Sequence, residues 1–305
     1  LPNQRLEVVL IDNESSVVAR TASARQAREL ALVLAAAGIP AVQSEMNGQH
    51  LFSVSDADAD RARAELAAYL TENPPPAPPA PPPRVVGRAL PGAVVYALLL
   101  LLAWRLQSSF AGGHDWTSLG RVDGQAILDG QWWRALTALT LHGDFGHLAA
   151  NLFFGTLFGG LAARYLGTGS AWLAIVAAGG LGNLANAWLH GPDHRSIGAS
   201  TAVFAALGLL GAFVATHRRR GGARRWAERW GALVAAGAIL AYTGSGGERT
   251  DVGAHLTGFA GGALLGWGLA WTGRAGFRAA GFQVACGFAA AGALAAAWAL
   301  ALGSA

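Results

Sequence analysis

The sequence predicts an all-α polytopic membrane helix bundle of about seven transmembrane helices, preceded by a small soluble α+β domain of order β-α-β-β-α. Three observations predict it. The 305 residues are 53% hydrophobic and only 13% charged, whereas a soluble domain carries roughly 25% charged residues. Charges are plentiful before Glu72 and sparse after Arg88. Between the two regimes runs "NPPPAPPAPPP", Asn73 to Pro83, an extended and semi-rigid spacer. The expected units are a soluble domain over 1–72, a proline-rich linker over 73–88 and a membrane domain over 89–305.

Within the first unit, "RLEVVLID" is strand-like. A helix over 23–37 follows, opened by Ser23 with Gln26 three positions on, a capping-box pattern, and closed by Gly38. "AVQSEM" and "QHLFSV" flank Asn47-Gly48, a strong hairpin signal. Ser55 starts a second helix with Asp56, Asp58 and Asp60 in its first turn, where the helix dipole favours negative charge. Those aspartates lack the glycine and distal glutamate of a calcium loop. The first residues alternate polar and apolar and do not read as a signal peptide.

Beyond the linker, apolar stretches near 90–109, 145–163, 170–190, 200–216, 229–243, 252–271 and 279–302 are long enough to cross a ~30 Å hydrocarbon core. The fifth is the weakest, being short and rich in Gly and Ala. Arg84, Arg88, Arg164, the cluster from Arg218 to Arg229, and Arg274 with Arg278 all fall on one side if the spans alternate. Positive charge marks that side as the cytoplasm and puts the N-terminal domain there. Ser200 then opens the fourth span at its extracytoplasmic end.

Ionisable residues inside a membrane are costly and are therefore functional candidates. "LHGDFGHLAANLFFG" supplies His142, His147 and Asn151 at the start of the second span, and "DVGAHLTGFAGG" supplies His255 near the start of the sixth. Both starts lie at the same depth as Ser200 in "RSIGASTAVF". A serine at a helix start is ordinarily a cap; a histidine and a His/Asn pair at the same depth make it a candidate nucleophile. His147 and Asn151 are i,i+4 and share a helix face, so both can point donors at one oxyanion, with Ser200's own N–H as a third. Gly258 and Gly262 form a small-residue stripe beginning one turn after His255, and Ala202 and Ala206 offer a matching face on the fourth span. Packing of these helices would bring the Ser200 hydroxyl to the His255 imidazole, the arrangement that general-base activation needs. With no well-placed aspartate, the expectation is a dyad, and Phe204 is positioned to stack on the imidazole.

The set "WWR", "HGDFGHLAANLFFG", "GAST" and "AHLTGFAGG", in this order, resembles the rhomboid family of intramembrane serine proteases, bacterial type with six spans plus one. The resemblance covers roughly residues 90 to 271. It implies Ser200 as nucleophile, His255 as general base, and His147 and Asn151 on the oxyanion side, with His142 supporting and Gly198 in the serine turn. Trp133 and Arg134 match a structural Trp-Arg pair in the first extracytoplasmic loop. The implied partners are transmembrane protein substrates and the lipid bilayer of a bacterial inner or plasma membrane, with no cofactor. Two positions depart from the family pattern: Thr201 follows the serine in place of Gly, and Ala163 replaces a frequent Glu.

Other classes fit less well. The pI near 10.0 accompanies a net charge of only +4, so no nucleic-acid-binding domain is implied. No carboxylate or Cys completes a metal set with the histidines, and the single Cys286 reads as a small buried hydrophobe. His190 and His194 flank Pro192 and read as loop residues, and Asp251 as an interfacial cap. A transporter would show an internal repeat, and none is evident. A non-catalytic relative that binds transmembrane segments and controls their trafficking or degradation is the alternative reading. Nothing in the N-terminal residues identifies that domain's partner.

Overall fold

The computed structural model describes residues 9–10, 17–74, 85, 87–220, 226–243, 250–271 and 279–304. The proline tract after Pro74, together with Arg84, Arg224, Arg225, Arg274 and Arg278, lies outside the described residues, as does most of the first strand-like run. The chain divides into two compact units, Leu1–Pro78 and Pro79–Ala305.

The first unit holds strands β1 (Val9–Leu10) and β2 (Val17–Thr21), helix α1 (Ala24–Ala36), strands β3 (Val42–Met46) and β4 (Gln49–Ser53), and helix α2 (Ala59–Glu72). Its sheet has the order β1-β2-β4-β3, with every neighbour antiparallel. Asn47 and Gly48 take φ values of 53° and 73°, so both central turn residues are left-handed and Met46 pairs with Gln49. That is the two-residue turn whose twist matches a hairpin. Ser23 caps α1 by accepting the Gln26 N–H at 3.4 Å. The expected reciprocal bond from Gln26 is replaced: the Thr21 hydroxyl accepts the Ser23 N–H and itself donates to Gln26 Oε1. Val18, Leu30, Leu34, Phe52 and Leu66 close a core of their own between sheet and helices.

Among the described residues of the second unit, five helices are long and apolar enough to cross a membrane: α3 (Ala89–Ser108), α7 (Phe145–Leu166), α8 (Thr168–His190), α9 (Ser200–Arg220) and α12 (Ala280–Gly303). The fifth and sixth expected spans differ from these. Helix α10 (Trp226–Thr243) has a shorter apolar stretch, Trp230–Tyr242, and α11 (Val252–Trp271) has 20 residues whose glycines dilute its hydropathy. At 1.5 Å per residue α11 is still about 30 Å long. Between α3 and α7 lie the short elements α4 (Trp116–Gly120), β5 (Val122–Asp123), α5 (Gly124–Leu128) and α6 (Arg134–Thr137). Strand β5 pairs with β6 (Arg195–Ser196), which ties this long loop to the segment just before Ser200.

Helix α9 is central, with 72% of its apolar span buried, against 11% for α3. Its tightest neighbour is α11. A side chain at Gly258, Gly262 or Gly266 would run into the backbone carbonyl oxygen of Thr201, Ala205 or Leu209 respectively. Each step along one helix is matched by a step of four along the other, so the small-residue stripe faces bare backbone. The expected face of Ala202 and Ala206 is therefore one residue out. Ala202 instead packs against α8, where a Cβ on Gly179 would lie 2.9 Å from its methyl. The residue preceding it takes the α11 side because i,i+4 carbonyls, more than methyl groups, fill the glycine gaps.

Gly262→Val should destabilise the membrane unit by about 1–3 kcal/mol or more, read as a lowered unfolding midpoint in detergent. Gly268→Ala on the same helix, where no atom lies within 4 Å of the new methyl, should be neutral or slightly stabilising.

Candidate active site

The segment before α9 turns through Gly198, whose φ of +136° excludes other residues without strain. The Gly198 N–H donates to the Ala138 carbonyl at 3.0 Å, so the turn is anchored on the end of the long loop. The Ala199 carbonyl then accepts the Val203 N–H at 2.9 Å and begins the helix. Ser200 is the first helical residue, half-buried, with the N–H groups of an open helix start around it.

Gly198 also leaves a space. A Cβ there would lie 2.7 Å from both Cε1 and Nε2 of His147 and 3.5 Å from Ser200 Oγ. The imidazole of one helix and the hydroxyl of another thus border a gap of about one atom's width. His147 is the third residue of α7, and its N–H is capped by Asp144 Oδ1 at 2.8 Å. Asn151, one turn on and buried, donates from Nδ2 to the His147 carbonyl at 3.0 Å. An amide nitrogen has a second hydrogen to donate. The Tyr96 hydroxyl on α3 donates to the Asn151 carbonyl at 2.8 Å, fixing this turn from a third helix.

His142 is fully buried and meets the His147 ring edge-on, centroids 5.1 Å apart. Its backbone is held at both ends by Gln107, which accepts from the His142 N–H at 3.2 Å and donates to its carbonyl at 2.9 Å. Burial in this loop ahead of α7 pushes the imidazolium down to about 4, so the ring is neutral near pH 7.

His255 is the fourth residue of α11 and buried, and its ring lies on Phe204 of α9 with centroids 4.3 Å apart and planes at 43°. Phe204 is one turn after Ser200. The helices that carry Ser200, His147 and His255 all begin at the same end of the bundle. Thr201 is buried between neighbours: its methyl is 3.0 Å from a Cβ position on Gly182 of α8 and 2.9 Å from one on Gly258. Glycines on both sides leave room for the β-branched residue. Trp133 packs edge-on against Trp132, and Arg134 Nη1 donates to the carbonyls of Ser118 and Arg121, which fastens the loop. Ala163 is fully buried. An apolar cavity of about 410 Å³ between α3, α8 and α12 reaches Ala199 and Ala202 on either side of the serine turn.

Of the two histidines read as loop residues, His194 lies in the loop and His190 does not. His190 ends α8, and His194 Nε2 lies 3.1 Å from Asp251 Oδ2. Asn186 on α8 donates to the same oxygen at 2.8 Å. Neither Asn186 nor Tyr96 and Gln107 stood out in the sequence. An amide within an apolar span is the signal that would have found Asn186.

Residues 129–272 match the family model of the Rhomboid domain. The chain is 29% identical over 139 residues to the candidate rhomboid protease YdcA of Bacillus subtilis (strain 168), covering 46% of this chain and 68% of that one. It is 30% identical over 127 residues to the rhomboid protease GluP of the same organism, covering 42% of this chain and 24% of the relative. It is also 39% identical over 74 residues to the chloroplastic Rhomboid-like protein 11 of Arabidopsis thaliana, covering 24% of this chain and 26% of the relative. The matches thus span about a quarter of the latter two proteins.

Thr201→Ser, which removes one buried methyl, should cost about 1 kcal/mol of stability. Gly182→Ala, which adds one against Thr201 and the Gly258 backbone, should cost about 1–3 kcal/mol. Denaturant unfolding of the purified protein checks both.

Proposed function

The chain is a rhomboid-family integral membrane protein, and from that premise we propose that it is an intramembrane serine endopeptidase with Ser200 as nucleophile and His255 as general base. The observation that carries this reading is the α9–α11 interface. Its glycine–carbonyl contacts hold Ser200 and the His255 ring at the same end of two adjacent helices, with Phe204 under the ring.

In the proposed reaction His255 takes the hydroxyl proton as Ser200 Oγ attacks a peptide carbonyl. In this reading the oxyanion occupies the gap beside Gly198 that His147 Nε2 and Ser200 Oγ border, with the second hydrogen of Asn151 Nδ2 and the N–H groups at the start of α9 as further donors. His255 passes its proton to the leaving amine, and water then hydrolyses the acyl-enzyme by the same steps in reverse roles. His142, neutral at neutral pH, supports His147 by its edge-on contact and adds no competing charge. The substrates are membrane proteins cut in or near a transmembrane segment. Both B. subtilis relatives carry protease names, which favours the catalytic over the non-catalytic reading.

Arg164 lies in the last turn of α7, and Arg218 and Arg219 at the far end of α9, opposite the reacting groups. By the positive-inside rule the N-terminal unit faces the cytoplasm and the site opens to the other side of a bacterial plasma membrane. Water for hydrolysis enters from that face, since the lipid core holds none.

A fluorophosphonate probe should label the native chain at Ser200 and should not label Ser200→Ala, which should stay folded and cleave no transmembrane substrate. Labelling elsewhere, or cleavage that survives the substitution, would remove the serine from the mechanism. Asn151→Ala should lower turnover by about 10² or more if its amide serves the oxyanion; a near-normal rate would take that role away.

A further inference from the structure

The short segment between α8 and Ser200 makes two polar attachments that the proposed reaction does not use. Arg195 Nε meets Asp123 Oδ2 at 2.8 Å, beside the β5–β6 pair, and so holds the segment to the long loop. Its neighbour His194 reaches the other way. His194 Nε2 and Asn186 Nδ2 converge on one oxygen of Asp251, Oδ2, at 3.1 and 2.8 Å. The second oxygen, Oδ1, accepts the Ala254 N–H at 2.9 Å and caps α11. The Asp251 carbonyl accepts the N–H of His255 itself at 3.2 Å. Asn186 is 1% exposed, and its backbone carbonyl lies 3.0 Å from His190 Nδ1. Gly253 lets the two helices close here, because a side chain would run into Asn186 Oδ1.

One carboxylate therefore joins three pieces: helix α8, the segment that leads into Ser200, and the first turn of the helix that carries His255. The glycine–carbonyl stripe sets how closely α9 and α11 approach, but its contacts repeat at each turn and engage only backbone. A directional, charge-assisted contact at one end fixes the remaining freedom, a small slide of α11 along its axis. That freedom matters, because a misplacement of about 1 Å between reacting groups can cost 10²-fold in rate.

We propose that Asp251, with His194 and Asn186, is a clasp that sets the axial register of His255 against Ser200. Asp251 is a positioning residue that acts through the first turn of α11. The proposal rests on the reading of Ser200 and His255 as the reacting pair.

The test uses the full chain in bilayer nanodiscs, with a fluorogenic transmembrane peptide for kcat and KM and a fluorophosphonate probe for the rate of Ser200 labelling. Asp251→Asn keeps an oxygen for the Ala254 N–H and stays a good cap, but turns the other oxygen into a donor. It should lower kcat and the labelling rate about 10- to 100-fold while KM and the thermal midpoint change little. The double variant Asn186→Asp/Asp251→Asn moves the carboxylate across the same contact and should recover most of the loss. An unchanged kcat in Asp251→Asn overturns the clasp, as does a loss that follows the thermal midpoint and is not recovered in the double variant. A native chain that takes up no probe overturns the serine hydrolase reading, and the clasp with it; an active native chain with an indifferent Asp251 overturns the clasp alone.

Discussion

The close approach of two helix backbones, α9 and α11, organises the membrane unit. In lipid no hydrophobic force drives helices together, so association relies on dispersion and on backbone groups that can come near enough to interact. Helix α11 meets that condition with Gly258, Gly262 and Gly266, each lying over a carbonyl oxygen of α9. The contact leaves little latitude in separation. It also determines which ends coincide, because Gly258 opposite Thr201 puts the first turns of both helices side by side. Ser200 and His255 occupy those first turns.

Around that contact, the polar groups gather where helices start. Asp144 caps α7, Asp251 caps α11, and the Gly198 turn delivers α9, so each of these three helices starts with its own polar or turn device. The irregular backbone that connects them would be costly without partners. Arg134, Thr137 and the β5–β6 pair supply many: Thr137 Oγ1 donates to the Gly120 carbonyl at 2.6 Å, and Arg134 spans two further carbonyls. The departure at Thr201 is absorbed in the same region. Its methyl uses volume left by glycines on both neighbouring helices. The N-terminal unit has a core of its own, in which Val18, Leu34, Phe52 and Leu66 are buried.

Local signals in the sequence were sufficient for much of this. Asn47-Gly48 demanded left-handed backbone at both positions and formed the hairpin. Ser23 capped its helix, although Thr21 took over the reciprocal bond because its hydroxyl reaches the Ser23 N–H from the preceding strand. Of the seven apolar runs expected to span, five form helices long and apolar enough among the described residues, while α10 has a shorter apolar stretch. The clustering of Ser200, His147, Asn151 and His255 at one depth could be suspected from span boundaries alone, because helix starts on the same side of a membrane share a depth.

What the sequence by itself determined was periodicity, length and the end of each helix that carries polar groups, for these depend on neighbours a few residues apart. The facing of one helix toward another depends on side-chain volumes summed over the whole bundle, and only the tertiary structure decided it. Ala202 turned to α8 and the carbonyls of Thr201, Ala205 and Leu209 to α11, a rotation of one residue that no local pattern records. Asp251, His194 and Asn186 likewise met from positions up to 65 residues apart, because the packed glycines brought their helix ends together.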